Sequence, residues 1–418
     1  MSESTGRSPL SFAAEKGYYE VVKAILGRAD ILPDMEDNDG RTPLSWAAES
    51  GHALIVNLLL EHPDVNPDKP DNVGQTPLCW AARERQIEVV RLLLQQESVN
   101  PNHNDSNGQT PLLWCASRGH NQVVEQLLGH DNIQPDKSAT NGQTPISCAA
   151  ERGHGRVLEL LLRREDVNPN SPDMLVRTPL LWAAIMGRVA VVEQLLRCED
   201  IEADKPDVHG RAPLSYAAEW GNLPIVELLL AREDINPAIS DHNGGGPLSW
   251  AVYGQHNEIV KRLLEQKRVD GNACDSKGKT PLISAATYGY KGIVKLLLGW
   301  EGIKPDIADP NGRTALLGAC RYGKEENVKL LLERKDVNPN IVDEDGRSAL
   351  GNAAMNGHDK VVKVLLERRD VDLNVRDKDG RTPLEWAEQE GHGEIVRMLV
   401  AGQHVTHYTA DGGVCAQH

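Results

Sequence analysis

The chain has a single phenylalanine, and aromatic residues make up only 4% of its 418 positions. Its seven cysteines, Cys79, Cys115, Cys148, Cys198, Cys274, Cys320 and Cys415, contain no CxxC pair and are odd in number. That pattern argues against a disulfide framework or a zinc site. Reduced thiols fit a cytoplasmic protein. No run approaches the roughly 18 apolar residues a membrane helix requires, so no membrane partner is expected. The opening MSESTGRSPL lacks the basic and apolar regions of a secretory signal. Basic charge is also short. The net charge is −16, and the arginine-rich spots are brief and interrupted by acids, so a nucleic-acid partner is not expected. There is no P-loop, GxSxG, HExxH or strand-to-helix GxGxxG, so no enzymatic activity is assigned and no cofactor is expected.

What is present is repetition. A tetrad of the type Gly-x-Thr-Pro followed by Leu begins at 6, 40, 74, 108, 142, 176, 210, 244, 278, 312, 346 and 380, always 34 residues apart. Val176 is the one non-glycine at the first position, Ala315 and Ala349 replace the proline, and Ile146 replaces the leucine. Twelve copies in phase without an insertion define twelve repeats.

Repeat 2 illustrates the local logic. A polar turn ends at Gly40, and Thr42-Pro43 suits an N-cap and first helical turn. The short first helix carries the small residues Ala47 and Ala48 and stops at Gly51, a left-handed C-cap. Ile55, Val56, Leu59 and Leu60 then recur at helical spacing. Two such helices cannot bury their apolar stripes alone, so the copies must stack into a quasi-one-dimensional core.

These residues carry a family resemblance. Gly40-Arg41-Thr42-Pro43-Leu44, Ala47-Ala48, Gly51-His52, Ile55-Val56, Leu59-Leu60 and Asp64-Val65-Asn66 together resemble the ankyrin repeat. The fold expected is an all-α ankyrin solenoid of twelve helix-turn-helix units over residues 1–402, with an irregular tail at 403–418. The copy-to-copy wording is similar to tandem arrays of filamentous fungi. The resemblance implies a scaffold that binds other proteins.

The departures from the family pattern carry information. The histidine that usually follows the leucine and ties turns together is replaced, for example by Ser45, Cys79 and Leu113. Repeat 6 has the apolar turn Met174-Leu175-Val176. Arg85 and Gln255 occupy the helix-ending glycine position, so repeats 3 and 8 are expected to end their first helix differently. The aspartates at the turn position, Asp37 through Asp377, read as turn formers. The Gly-His histidines, such as His52, read as packing residues. His209 and His242, on adjacent turns, are off-register, and with Asp207 and Asp241 offer a weak metal or acid–base arrangement. No metal site is assigned.

The site signal lies on the first helices. Six of the eight tryptophans share one register there, a ladder read mainly as inter-repeat packing. In the second half, positions that are polar in repeats 2 to 5 become aromatic or apolar. Trp182, Met186, Tyr216, Trp220, Trp250, Tyr253, Tyr288 and Tyr322 are therefore the candidate binding residues, on the face that lines the inner side in this family. An apolar patch without a partner would reduce solubility, and Trp and Tyr are enriched among hot spots. The leading expectation is a protein or peptide partner on the concave face of repeats 6 to 10. The alternative is a small molecule in the same hollow, with Glu219 as general acid, because a carboxyl among rings would have its pKa raised by desolvation.

Overall fold

The computed structural model describes residues 6–410, with side chains from 6 to 402. Among the described residues there are 24 helices and no strand, a pair of helices for each of the twelve repeats. The chain divides into two compact bodies, Met1–Val208 and His209–His418. Within each, first helices pack on the first helices of the next repeat, and second helices on second helices.

The helix starts follow from the Thr-Pro pair. In repeat 2 the backbone of Thr42 is extended, and its hydroxyl accepts the Ser45 N–H at the head of Pro43–Ser50. Proline at the next position gives up an N–H that no helix would use. Thr76, Thr110, Thr144, Thr178, Thr280, Thr314 and Thr382 do the same. Ala212 and Gly246 supply no side-chain cap.

The core follows the expected stripes. Leu44, Ala47 and Ala48 of the first helix and Ile55, Val56 and Leu59 of Ala53–Leu60 are buried. In the second body Leu214, Ala217, Ala218, Ile225, Val226 and Leu229 take the same places. Alanine pairs let the first helices approach closely, and the branched residues of the second helices fill the remaining layer.

The turn after the first helix corrects one expectation. Arg85 and Gln255 take the left-handed conformation of the glycines they replace, at φ 61° and 63°. Their helices, Pro77–Arg83 and Pro247–Tyr253, end no earlier than Pro213–Glu219, which is followed by Gly221. Stacking thus imposes one turn geometry whatever the residue. The following histidines serve that turn. The His52 ring bonds the Glu15 carbonyl at 2.9 Å and the His256 ring that of Glu219 at 2.9 Å, partnering carbonyls left open at a helix end.

Successive turns are joined by backbone bonds, as from Asn72 N–H to the Asp39 carbonyl at 2.9 Å. The apolar turn of repeat 6 keeps this bond, from Met174 N–H to Asn141, while Met174 and Leu175 point outward. His209 and His242 are likewise exposed turn tips, joined through backbone from His242 N–H to the His209 carbonyl. At the other end, the last helix runs from Gly393 to Ala410. Backbone helix thus enters the segment expected to be irregular from 403. Residues 411–418 lie outside the described residues. In repeat 1, Phe12, Tyr18 and Val21 are exposed.

Val176 is the most strained of the left-handed residues, a β-branched side chain at φ 60° and partly exposed. Val176→Gly should therefore raise stability by about 1 kcal/mol, less whatever the freer unfolded chain takes back. A thermal melt that shows Val176→Gly to be clearly destabilising would contradict the strain.

Candidate functional site

The tryptophan ladder is built on the turn aspartates. One oxygen of Asp37 accepts the N–H groups of Asp39 and Arg41, at 3.0 and 2.9 Å, and so shapes the turn. The other accepts the Trp46 indole N–H at 2.9 Å, nine residues away. Trp80, Trp114, Trp182, Trp250 and Trp386 bond Asp71, Asp105, Asp173, Asp241 and Asp377 in the same way. In repeat 11 the amide of Asn352 replaces the indole on Asp343, at 3.0 Å. These six aspartates do more than form turns, because each also anchors a ring. This fixed pairing across repeats was the readable signal that consideration of the turn alone misses.

Arginines lie between the rings. The Arg41 guanidinium sits 3.5 Å from the Trp46 ring centre and 3.9 Å from that of Trp80. Arg7 covers Trp46 at 3.8 Å. Two guanidinium groups that close to one ring must take its opposite faces. In the second body Arg211 lies 4.0 Å from the Tyr216 ring centre and 3.7 Å from that of Trp250. Each such contact between a cation and a ring is worth about 0.5–2 kcal/mol, more as water is excluded. A glutamate fixes the arginine: Glu15 pairs with Arg7 at 2.7 Å, Glu49 with Arg41 at 2.5 Å and Glu219 with Arg211 at 2.5 Å.

That recurrence bears directly on Glu219. It does stand beside the rings, but its carboxylate performs the task that Glu15 and Glu49 perform elsewhere, which is to hold an arginine in the stack. Nothing in this geometry favours acid catalysis. Buried thiols are also inert: desolvation pushes Cys79 to about 11 and Cys148 to about 12.

The candidate residues fall into two groups. Trp182 is only 9% exposed, and Tyr216 and Trp250 are half-buried beside Arg211 in the ladder. Trp220, Tyr253, Tyr288 and Tyr322, all in the second body, are 61, 63, 55 and 54% exposed. Met186, in the first body, is exposed as well. Met186, Trp220, Tyr288 and Tyr322 share one register, whereas Tyr253 sits one residue earlier in its repeat, in the place of Glu49. The structure brings part of the second group together. Tyr253 meets Trp250 edge to face, with ring centres 6.0 Å apart, and Tyr288 stacks on Tyr290 at 5.7 Å. These four rings line a cleft of about 490 Å³ with Gly245, Asp275 and Ser284. Trp220 and Tyr322 do not line it. Among the described residues no group of three or more His, Cys, Asp or Glu side chains could hold a metal ion.

The Asp–Trp pair gives an acid-sensitive contribution. Burial pushes the Asp377 carboxyl up, but the Arg381 N–H, the Trp386 indole, the Asp379 N–H and Arg347 together hold it below the ordinary aspartate value. A carboxylate with a depressed folded pKa adds stability above its unfolded value, near 4, and loses it as pH falls through the folded value. Trp386→Phe should thus cost about 1–3 kcal/mol at neutral pH, because a buried oxygen loses its donor. The difference from the parent should shrink below about pH 4. Melts showing the same difference at pH 7 and pH 3 would assign the loss to ring volume alone.

The family comparison agrees with this architecture. The sequence model of the family described as ankyrin repeats (3 copies) matches residues 10–105, 96–173, 166–241, 233–309, 292–377 and 316–409. Among solved structures, the crystal structure of EF0377, an ankyrin repeat protein, is 28% identical and covers 45% of this chain and 96% of its own, with a TM-score of 0.43. No curated protein sequence matches. The family matches overlap from residue 10 to residue 409, across both bodies, and the chain belongs to the ankyrin-repeat family.

Proposed function

We propose that this chain is a non-catalytic recognition scaffold that binds a protein or peptide through Trp220, Tyr253, Tyr288 and Tyr322. Ankyrin repeats are generally protein-interaction modules, which supports the class of partner. The observation that carries the choice of surface is the exposure of these four rings, each more than half open to solvent. They sit on, or just after, the first helices of their repeats, the helices that in repeat 2 carry Trp46 packed between Arg7 and Arg41. The fold therefore has a place for aromatic rings and does not use it for these four. Exposed Trp and Tyr side chains bring large area at low entropic cost, which suits hot spots.

Met186, with Met174 and Leu175, adds an apolar surface to the first body. Small-molecule binding, the second reading, is weakened by the engagement of Glu219 with Arg211. A cytoplasmic location is supported by the free thiols of the six described cysteines. No helix among the described residues is long and apolar enough to cross a membrane.

The test separates binding from folding. Leu229 is fully buried, so Leu229→Ala should cost about 2–5 kcal/mol of stability. Trp220→Ala and Tyr253→Ala should each cost under about 1 kcal/mol. Each should weaken a recovered partner by about 2 kcal/mol or more, roughly thirtyfold. Denaturant melts beside a binding titration decide it. If Trp220→Ala unfolds the chain as readily as Leu229→Ala, the ring is structural. If both aromatic variants bind normally, the surface lies elsewhere.

A further inference from the structure

We propose that the cleft at repeats 8 and 9 receives an arginine side chain of the protein partner, its guanidinium laid on the open face of Trp250 and paired with Asp275. This rests on the reading of the exposed rings as a partner-binding surface, and it names the chemistry that the surface selects.

The argument starts from an interruption in the stack. In repeats 1, 2, 6 and 7 the residue after the turn position supplies the stacking arginine, Arg7, Arg41, Arg177 and Arg211, whereas repeats 3, 4 and 5 place the polar side chains Gln75, Gln109 and Gln143 there. In repeat 8 that residue is Gly245. Trp250 therefore keeps Arg211 on one face, at 3.7 Å, and has no arginine of its own repeat for the other. Trp46 shows the complete arrangement, with Arg7 and Arg41 on its two faces. Repeat 9 then lacks the next ring as well, because Ser284 stands where tryptophan stands in repeats 2, 3, 4, 6, 8 and 12. The cleft of about 490 Å³ is what these two omissions leave, and it is lined by Gly245, Trp250 and Ser284.

The second omission also frees a charge. Asp275 shapes its turn in the usual way, accepting the N–H groups of Lys277 and Lys279 with one oxygen, both at 2.9 Å. With no indole in repeat 9, its other oxygen lacks the ring donor that Asp241 has at 3.0 Å. Asp275 is only half-buried, whereas every other turn aspartate from Asp37 to Asp377 is buried, and it lines the cleft. A missing guanidinium, an indole with an arginine on one face only and a carboxylate in the same wall together define the missing group: flat, cationic and rich in N–H donors.

Lys277 and Lys279 line the same cleft, and neither forms an ion pair with a carboxylate among the described residues. They reduce the attraction for any cation, so charge alone does not select the ligand. Planarity does. A guanidinium can stack on an indole and meet a carboxylate edge-on, which an ammonium cannot do as well. Tyr253 and Tyr288 at the rim supply apolar surface for the arginine stem and the flanking peptide.

Gly245 is not among the residues with a left-handed backbone, so it can accept a side chain. A Cβ there would lie 3.1 Å from Trp250 Nε1 and 3.2 Å from an Asp241 oxygen, a tight fit that asks the ring to shift slightly. Gly245→Arg should therefore fill the slot from within.

The experiment titrates acetyl-Gly-Arg-Gly-amide into the full chain and follows the Trp250 indole resonance, assigned by its loss in Trp250→Phe. Lysine, citrulline and glutamate versions and free arginine run alongside. The arginine peptide should shift that resonance, with citrulline weaker on the order of tenfold and lysine in between. Asp275→Asn should weaken the arginine peptide on the order of tenfold, Lys277→Ala should strengthen it, and Gly245→Arg should abolish binding and raise the melting temperature. Equal binding of arginine and citrulline peptides, a preference for glutamate, or full binding by a folded Gly245→Arg variant would overturn the proposal. Free arginine bound as tightly as the peptide would also overturn it, by making the slot a small-molecule site. The peptide series on the unaltered chain decides the matter even if a variant fails to fold. A recovered partner that needs Trp220 but tolerates replacement of its arginines would sink this inference and leave the scaffold reading standing.

Discussion

Repeats 2, 3, 4, 6, 8 and 12 each depend on one carboxylate with two tasks. The turn aspartate gathers the amides of its own turn on one oxygen and the indole of its own first helix on the other, as Asp37 does with Arg41 and Trp46. The turn and the helix face are thereby fixed to each other. Once the indole is held in that plane, an arginine from the same repeat can lie on it, and a glutamate from the helix can fix the arginine. The stack is a consequence of the aspartate, and it replaces the tie that histidine would provide after the leucine.

This arrangement explains why aromatic residues can be scarce and still matter. A ladder tryptophan such as Trp46 is satisfied on its edge by Asp37 and on its faces by Arg7 and Arg41, so it adds rigidity without adding adhesive surface, and Trp250, with Arg211 alone, is the departure. Where the composition departs from the ladder, at Trp220, Tyr253, Tyr288 and Tyr322, rings of the same chemistry stand in solvent. The contrast between rings held in the ladder and rings left in solvent at other positions of the first helices and their caps carries the functional reading. Glu219 belongs to the satisfied set through its pair with Arg211.

The fold was legible because the period of 34 is unbroken, and because threonine, proline, alanine and glycine each have one physical reason to occupy their places. The separation of Trp220 from Trp250 was legible too, since one sits off the ladder register and the other on it. Three features were not. The Asp–Trp bond spans a turn and a helix start, so neither local pattern announces it. Arg85 and Gln255 read as breaks, yet stacking on both sides holds their turns in the common geometry at a modest local cost. The helix that continues to Ala410 has no periodic signal past the last repeat. The gap at Gly245 could be seen in the sequence only as a missing arginine, and its meaning required the stack.

The central claim is that exposed and laddered rings divide the work between recognition and rigidity. Hydroxyl-radical footprinting of the chain, free and bound to a recovered partner, tests it most directly. In the free chain Trp220, Tyr253, Tyr288 and Tyr322 should be oxidised readily, and Trp46, Trp182 and Trp386 slowly. With partner bound, the first set should become protected while the second stays unchanged. Unaltered oxidation of the first set, with protection appearing on the turns or second helices, would contradict the account.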